Sequence, residues 1–269
     1  MIQSYKKNQT ILNVSHLRVG HRDKKKVNIL RDISFSIFKT ETFGIIGETG
    51  SGKTMTANSV MNLLPESIYK KKGEVFLEGI PIHTFSMNEM RKILGLKIAF
   101  IPQNSSTALN PLYKIGFQFE FVLRNRFKIN TLKARSRAKE WFEKVKLRNI
   151  DRIYNSYPCQ LSGGQNQRIS IALALSLDPS LLIADEPTTA LDSITQQEIL
   201  SLLLSLKKEY ELSIMFITHD ISIVKKICDR VAVMFKGQIV ECGITNQILT
   251  NPKHSYSKSL LNSLPTSRI

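Results

Sequence analysis

The sequence predicts an α/β protein built on a doubly wound, mainly parallel sheet, with an N-terminal antiparallel β subdomain and an inserted helical subdomain. Three observations predict it. Short apolar runs at 43–46, 98–101, 181–184 and 214–217 each end at a polar loop, the pattern of parallel strands buried on both faces. Helical segments lie between them, at 53–64 closed by Pro65, 168–177, 195–210 and 221–228, and such alternation puts ligands at the strand carboxyl ends. Residues 104–160 break the alternation, being mostly helical and basic, and read as an insertion.

In chain order, the first strands are expected at 11–19 and 33–37, separated by a polar loop containing Lys24, Lys25 and Lys26. Residues 73–82 alternate in the same manner, with Gly79 as a turn. Between Arg124 and Arg152 there are eleven basic residues against Glu140, Glu143 and Asp151. That stretch reads as amphipathic helix with Phe121, Leu132, Trp141, Phe142, Val145 and Leu147 on its buried side. From His254 onward a short helix and a fraying end are expected.

The 269 residues suffice for a buried core, and a hydrophobic content of 42% fits a globular chain. No apolar run approaches the ~18 residues of a membrane span, and residues 1–13 lack the apolar block of a secretory signal, so a soluble, cytoplasmic chain is expected. Cys159, Cys228 and Cys242 are widely spaced, which argues against a disulfide framework or a zinc site and for buried small apolar residues. The formal charge of +16, from 38 Lys and Arg against 22 Asp and Glu, suits either a nucleic-acid surface or a face turned toward anionic lipid.

Three motifs carry chemistry. Gly47-Glu48-Thr49-Gly50-Ser51-Gly52-Lys53-Thr54 fits G-x-x-x-x-G-K-[ST] between a strand and a helix. Its glycines let successive amides turn inward around phosphates, Lys53 neutralises β- and γ-phosphate charge, and Thr54 offers a hydroxyl to Mg²⁺. Asp185 and Glu186 end the run at 181–184, and Pro187 ends its ladder. Asp185 is the natural Mg²⁺ partner, which leaves Glu186 to orient or deprotonate an attacking water. In Leu161-Ser162-Gly163-Gly164-Gln165, Ser162 and Gln165 make a capping-box pattern, and Ile169, Ile171, Ala172 and Leu175 follow at near-helical spacing. The pentapeptide therefore opens a helix whose amides and glycines suit an anion such as a γ-phosphate.

Phosphate loop, LSGGQ and apolar-Asp-Glu, in this order and spacing, resemble ABC-type ATPase subunits over nearly the whole chain. The resemblance implies a P-loop NTPase core that uses ATP and Mg²⁺. It implies that Ser162, Gly163, Gly164 and Gln165 bind the γ-phosphate of ATP held by a second subunit, identical or paralogous, in a head-to-tail dimer. Gln103, in Ile101-Pro102-Gln103, is similar to the Q-loop glutamine that reaches Mg²⁺ or the water. His219, in Ile217-Thr218-His219-Asp220, resembles the switch histidine that hydrogen-bonds the γ-phosphate. Asp192, in Ala190-Leu191-Asp192, corresponds to the D-loop; on residues alone it reads as a helix cap. His21 stands near the position where the family stacks an aromatic ring on adenine. The domain organisation implied is a single ATPase domain over 1–269. Within it lie a β subdomain plus catalytic core over about 1–103 and 166–250, a helical subdomain over 104–165 carrying LSGGQ, and a tail over 251–269.

Further signatures are Ala108-Leu109-Asn110-Pro111, Ser156-Tyr157-Pro158, the run Ala184 to Asp192 and Pro252-Lys253-His254-Ser255-Tyr256. They resemble the peptide and nickel importer branch of the family. Oligopeptide-type members commonly continue into a cysteine-rich tail that is not present here, which leaves dipeptides, nickel or a metal chelate open as solutes. The expected partners are integral-membrane permease subunits, the second ATPase subunit and an extracytoplasmic solute-binding protein, with the chain peripheral on the cytoplasmic face of the membrane. The alternative that the charge invites is an ABC-type ATPase acting on nucleic acid or ribosomes. The long coiled coil or duplicated ATPase halves of such proteins are not in this sequence, so no nucleic acid is expected. A degenerate regulatory subunit would lack Lys53, Gly164 or Glu186, and all three are present.

Overall fold

The structure is a computed structural model that describes residues 9–21, 28–104 and 108–262, without the side chains at 70 and 71. The expected loop of Lys24, Lys25 and Lys26, and residues 263–269 of the expected fraying end, lie outside the described residues. The chain divides into two units, Met1–Leu94 with Glu211–Ile269, and Gly95–Tyr210.

In the first unit, strands β1 (Thr10–His21), β2 (Asn28–Phe38), β4 (Ile68–Leu77) and β5 (Ile80–Pro81) form an antiparallel sheet in the order β2-β1-β4-β5. Alternation drives it: Leu12, Val14, Leu17 and Val19 of β1 are buried. The alternation changes phase between Val14 and Leu17, where the register with β2 slips and His16 takes a positive φ of 52°. A second layer centres on β3 (Thr42–Ile46), buried throughout and flanked in parallel by β8 (Ser213–Ile217) and β9 (Arg230–Phe235). β10 (Gln238–Ile244) returns antiparallel to β9. Phe43 of β3 stacks on Phe35 of β2 with ring centroids 5.3 Å apart, which joins the two layers. Pairing of Ile45 with Ile217 sets the carboxyl ends of β3 and β8 side by side.

Helices α1 (Lys53–Val60), α2 (Met87–Ile93), α8 (Ile221–Ile227), α9 (Thr245–Thr250) and α10 (Ser255–Asn262) complete this unit. The expected helix 53–64 is shorter than read, because Asn62 adopts a left-handed φ of 54° that ends the helical path well before Pro65. No helix among the described residues is long and apolar enough to cross a membrane.

The second unit pairs β6 (Ile98–Ile101) with β7 (Leu181–Asp185) in parallel and adds helices α3 (Ile115–Phe127), α4 (Thr131–Lys144), α5 (Ile150–Asn155), α6 (Gly163–Leu175) and α7 (Ser193–Glu209). The basic stretch is divided among α3, α4 and α5. Lys128 closes α3 at φ 55°, Asn130 caps α4 by accepting from the Lys133 amide at 2.9 Å, and Asn149 precedes α5 at φ 54°.

Trp141, Phe142, Val145 and Leu147 are buried as expected, but Phe121 is 61% and Leu132 78% exposed. The reason is phase. Phe119 and Leu123 supply the buried side of α3, whereas Phe121 continues an outward row in which Tyr113, Phe117 and Phe121 stack at four-residue spacing. Leu132 lies on the side of α4 opposite Ala134, Ala138 and Phe142. The cysteines also depart from expectation: Cys228 is buried, while Cys159 and Cys242 are exposed. Cys159 sits in the short 3₁₀ turn Pro158–Gln160, and Cys242 lies on β10, which ends its strand order.

Phe142 packs edge-on against Phe119 at 4.8 Å, so Phe142→Ala is expected to destabilise the protein by about 3–5 kcal/mol. Phe121→Ala is expected to stay within about 0.5 kcal/mol of wild type. Urea unfolding of both variants checks the pair, and equal losses would refute the assigned phase of α3.

Candidate functional site

The phosphate loop Gly47–Thr54 links β3 to α1 and folds around its own lysine. Lys53 is only 6% exposed, and its ammonium donates to the carbonyls of Gly47 at 2.8 Å and Glu48 at 2.9 Å. Gly47 takes φ 151°, and a β-carbon there would overlap the Met234 carbonyl of β9, so only glycine allows this approach. Three further bonds fix the loop. The Ser51 amide donates to the Glu48 carbonyl at 3.1 Å, the Gly237 amide donates to the Ser51 carbonyl at 2.9 Å, and the Glu48 amide donates to the Tyr256 hydroxyl at 3.2 Å. Thr49, Gly50 and Thr54 face solvent, and Gly52 stands as the N-cap of α1.

The switch candidate His219 lies in the loop after β8, exposed, between Thr218 and Asp220. Asp220 caps α8 by accepting from the Ser222 amide at 2.8 Å, and the Thr218 amide donates to the Ile45 carbonyl at 3.2 Å, which ties this loop to the end of β3. His21 is the last residue of β1, opposite Ile68 of β4 and half-buried.

In the second unit, β7 ends at Asp185, a residue only 3% exposed. Glu186 follows with φ 46°, a left-handed conformation that costs a non-glycine residue about 1 kcal/mol or more. Thr189 holds this turn: its amide and its hydroxyl both donate to the Glu186 carbonyl at 3.3 Å. The same hydroxyl reaches Glu186 Oε2 at 3.0 Å, and the Gln103 side-chain amide donates to that oxygen at 3.1 Å. Gln103 and Glu186 are thus brought together. Thr189 was missed by the sequence reading of roles; its signal was the i+3 hydroxyl after a carboxylate at a strand end.

Ser162 caps α6 in a reciprocal box, its hydroxyl accepting from the Gln165 amide at 3.3 Å while Gln165 Oε1 accepts from the Ser162 amide at 3.0 Å. The first amides of the helix, at Gly163 and Gly164, lie outside its own ladder and form an anion-ready end. A β-carbon at Gly164 would come within 2.7 Å of Thr195 Cγ2 on α7, so glycine here allows the two helices to approach. Asp192 caps α7, accepting from the Ile194 amide at 3.1 Å and the Thr195 amide at 3.0 Å. Those bonds, Thr195 foremost, hold its carboxyl below the usual range.

The residues fit a nucleotide and its metal. Ser51 Oγ is buried inside the phosphate loop without a hydrogen-bond partner, which a phosphate oxygen would supply. Asp185 offers a hard oxygen donor, and no group of three His, Cys, Asp or Glu among the described residues forms a protein cage for a metal. The hard carboxylate oxygen of Asp185 suits Mg²⁺, which takes most of its other ligands from phosphates and water.

The ABC transporter family profile matches residues 30–189. The oligopeptide transport ATP-binding protein OppD of Bacillus subtilis (strain 168) is 44% identical over 242 residues, covering 90% of this chain and 68% of that protein. The metal-staphylopine import system ATP-binding protein CntD of Staphylococcus aureus (strain NCTC 8325 / PS 47) is 38% identical over 253 residues, covering 94% and 93%. Among solved structures, the dimeric post-hydrolysis state of the ATP-binding cassette MJ0796 bound to ADP and Pi gives a TM-score of 0.77 at 29% identity, over 87% of this chain and 98% of that one. With the fold and both glycine-rich motifs in agreement, the chain belongs to the ABC transporter family, as an ATP-hydrolysing subunit.

Proposed function

We propose that this subunit powers uptake of peptides, nickel or a metal chelate through separate integral-membrane permease subunits, from a peripheral position on the cytoplasmic face of the membrane. An extracytoplasmic solute-binding protein would deliver the solute. The observation that carries the solute class is the likeness along most of the chain to OppD, named for oligopeptide transport, and to CntD, named for metal-staphylopine import. The basic excess that invited nucleic acid is partly engaged within the second unit. There Arg137 donates to the Ser176 carbonyl at 3.0 Å, Lys139 pairs with Asp151 at 2.6 Å, and Lys144 lies over the Trp141 ring.

The amides of Gly47 to Thr54 bind the phosphates of ATP, and Lys53 exchanges its loop carbonyls for β- and γ-phosphate oxygens. Mg²⁺, when bound, neutralises charge on those oxygens, and Thr54, Gln103 and Asp185 would hold it. Glu186 orients the attacking water and accepts its proton, with Thr189 and Gln103 fixing the carboxylate through Oε2. His219 donates to the γ-phosphate, and His21 stacks on adenine. Ser162, Gly163, Gly164 and Gln165 complete the site on the ATP of a second subunit, identical or paralogous, and Asp192 lies at that dimer interface. Closing on two ATP molecules and opening after hydrolysis would drive the permease.

The permease would dock on the exposed apolar row of Leu112, Tyr113, Phe117 and Phe121, which follows Gln103 in the chain.

Glu186→Gln is expected to lower ATP turnover at least about a hundredfold while MgATP still binds, as steady-state assays and equilibrium titration would show; wild-type turnover would sink the catalytic assignment. Ser162→Arg is expected to leave ATP binding by the monomer intact and to abolish ATP-dependent dimerisation in sedimentation experiments. Loss of monomer binding would instead return residues 161–165 to a structural cap. Serine at both Phe117 and Phe121 is expected to abolish co-purification with the permease while ATPase activity of the isolated subunit stays within about twofold. Undiminished co-purification would remove this row from the interface.

A further inference from the structure

We propose that Tyr256 is a positioning residue for the phosphate loop. Its hydroxyl holds the peptide between Gly47 and Glu48 in the orientation that aims the Gly47 carbonyl at the Lys53 ammonium. This rests on the reading of Gly47–Thr54 as the phosphate site of ATP.

All described peptide bonds are trans, so the carbonyl of Gly47 and the amide of Glu48 point to opposite sides of one rigid plane. On one side the carbonyl accepts from Lys53 at 2.8 Å; on the other the amide donates to Tyr256 at 3.2 Å. The plane is clamped from both faces. When Lys53 turns to phosphate, its side of the clamp opens, and Tyr256 is the bond that keeps the plane from rotating. Glu48 is solvent-exposed, and the next peptide of the loop is held separately, its Glu48 carbonyl accepting from Lys53 at 2.9 Å and from the Ser51 amide at 3.1 Å.

Tyr256 is itself well seated. Its ring stacks on Phe235, the last residue of β9, with centroids 4.0 Å apart, and β9 pairs with the strand that leads into the loop. Burial, ahead of the Glu48 charge, pushes the phenol above its ordinary range, so it is protonated at neutral pH. The segment that delivers it is pinned by Glu241 of β10, whose carboxylate accepts from the Lys253 amide at 2.8 Å and the His254 amide at 3.1 Å. His254 Nδ1 then accepts from the Tyr256 amide at 3.1 Å and starts α10. The Pro252 to Tyr256 signature thus acquires a physical role. It carries a hydroxyl across 208 positions of sequence to the first turn of the phosphate loop.

Tyr256→Phe keeps the ring on Phe235 and removes the hydroxyl, which accepts from the Glu48 amide and also bonds the Glu48 side chain. In the full-length protein it is expected to raise both the equilibrium Kd for MgATP and the KM for ATP about three- to tenfold, the worth of one hydrogen bond, with kcat within about twofold. Glu241→Ala, which releases the segment without altering the tyrosine, is expected to shift KM in the same direction. Wild-type Kd and KM in folded Tyr256→Phe would overturn the proposal, as would a lower kcat at unchanged KM. A lower melting temperature with wild-type affinity in the folded fraction would reduce Tyr256 to a packing residue and overturn it equally. Failure of the wild-type protein to bind MgATP would instead overturn the reading of the loop, so the two failures are distinguishable.

Discussion

The first unit is organised around a buried ammonium. Lys53 is almost wholly withdrawn from water, and a lone cation in that position would be untenable without strong acceptors close by. Its acceptors are main-chain carbonyls of the same loop, so the chain must double back within a few residues. That reversal demands a glycine at Gly47, because the backbone there passes against the Met234 carbonyl of β9. It also demands that β9 lie beside β3, in the parallel pairing of Ile46 with Val233. The loop conformation that holds this charge and the β3/β9 pairing thus meet at one close approach, Gly47 against Met234. Under the proposed reading, ATP replaces these carbonyls with phosphate oxygens, so the ammonium keeps strong acceptors in both states.

The second unit handles a different electrostatic problem. It presents a carboxylate and a helix end, and each is held by hydrogen bonds from neighbours rather than by burial. Glu186 sits in a left-handed turn, and the Thr189 amide and hydroxyl offset that strain by bonding its carbonyl. The Thr189 hydroxyl and the Gln103 amide then share Oε2, so the backbone turn and the side-chain direction are set by overlapping partners. At α6 the capping box satisfies the Ser162 and Gln165 amides and leaves those of Gly163 and Gly164 to face outward. Asp192 performs the same capping task for α7, and the close approach at Gly164 packs α6 against that helix. Gly164 thus has a packing function of its own, and with Gly163 it supplies the helix end on which the proposed binding role rests.

What the sequence made legible is local. Strand runs buried on both faces, the Gly47 to Thr54 pattern and the Ser162/Gln165 box depend on neighbours within a few residues, and they stand in the structure where periodicity and capping rules place them. What stayed hidden depends on distant partners or on phase. Phe121 and Leu132 were read as buried because one amphipathic stretch was assumed to run through Lys128 and Asn149. Left-handed turns at those residues reset the helical phase, and hydrophobic character alone does not show which way a short helix faces. Cys159 and Cys242 were misjudged for a related reason: their burial depends on the 3₁₀ turn and end strand that carry them. The bond between Glu48 and Tyr256 had no sequence signal, since neither residue type is unusual at its own position.

That last contact bears on how motif and context divide the work of binding. The phosphate-loop pattern specifies residues that face the ligand, but one peptide plane of that loop is also set by a hydroxyl outside the pattern. Rotating that plane would redirect a carbonyl dipole without changing any residue that touches phosphate. A net hydrogen-bond contribution of about 1 kcal/mol corresponds to several-fold in affinity, the scale on which nucleotide occupancy is tuned rather than abolished. The motif therefore fixes which ligand the loop accepts, while the distant segment 252–262 adjusts how ready the loop is to accept it. Because Glu241 anchors that segment through main-chain amides, its side chains at Lys253 and Ser255 remain exposed at the surface, and substitutions there leave the anchoring bonds in place. Affinity for ATP can be adjusted through the tail's seating without disturbing the residues that perform the chemistry.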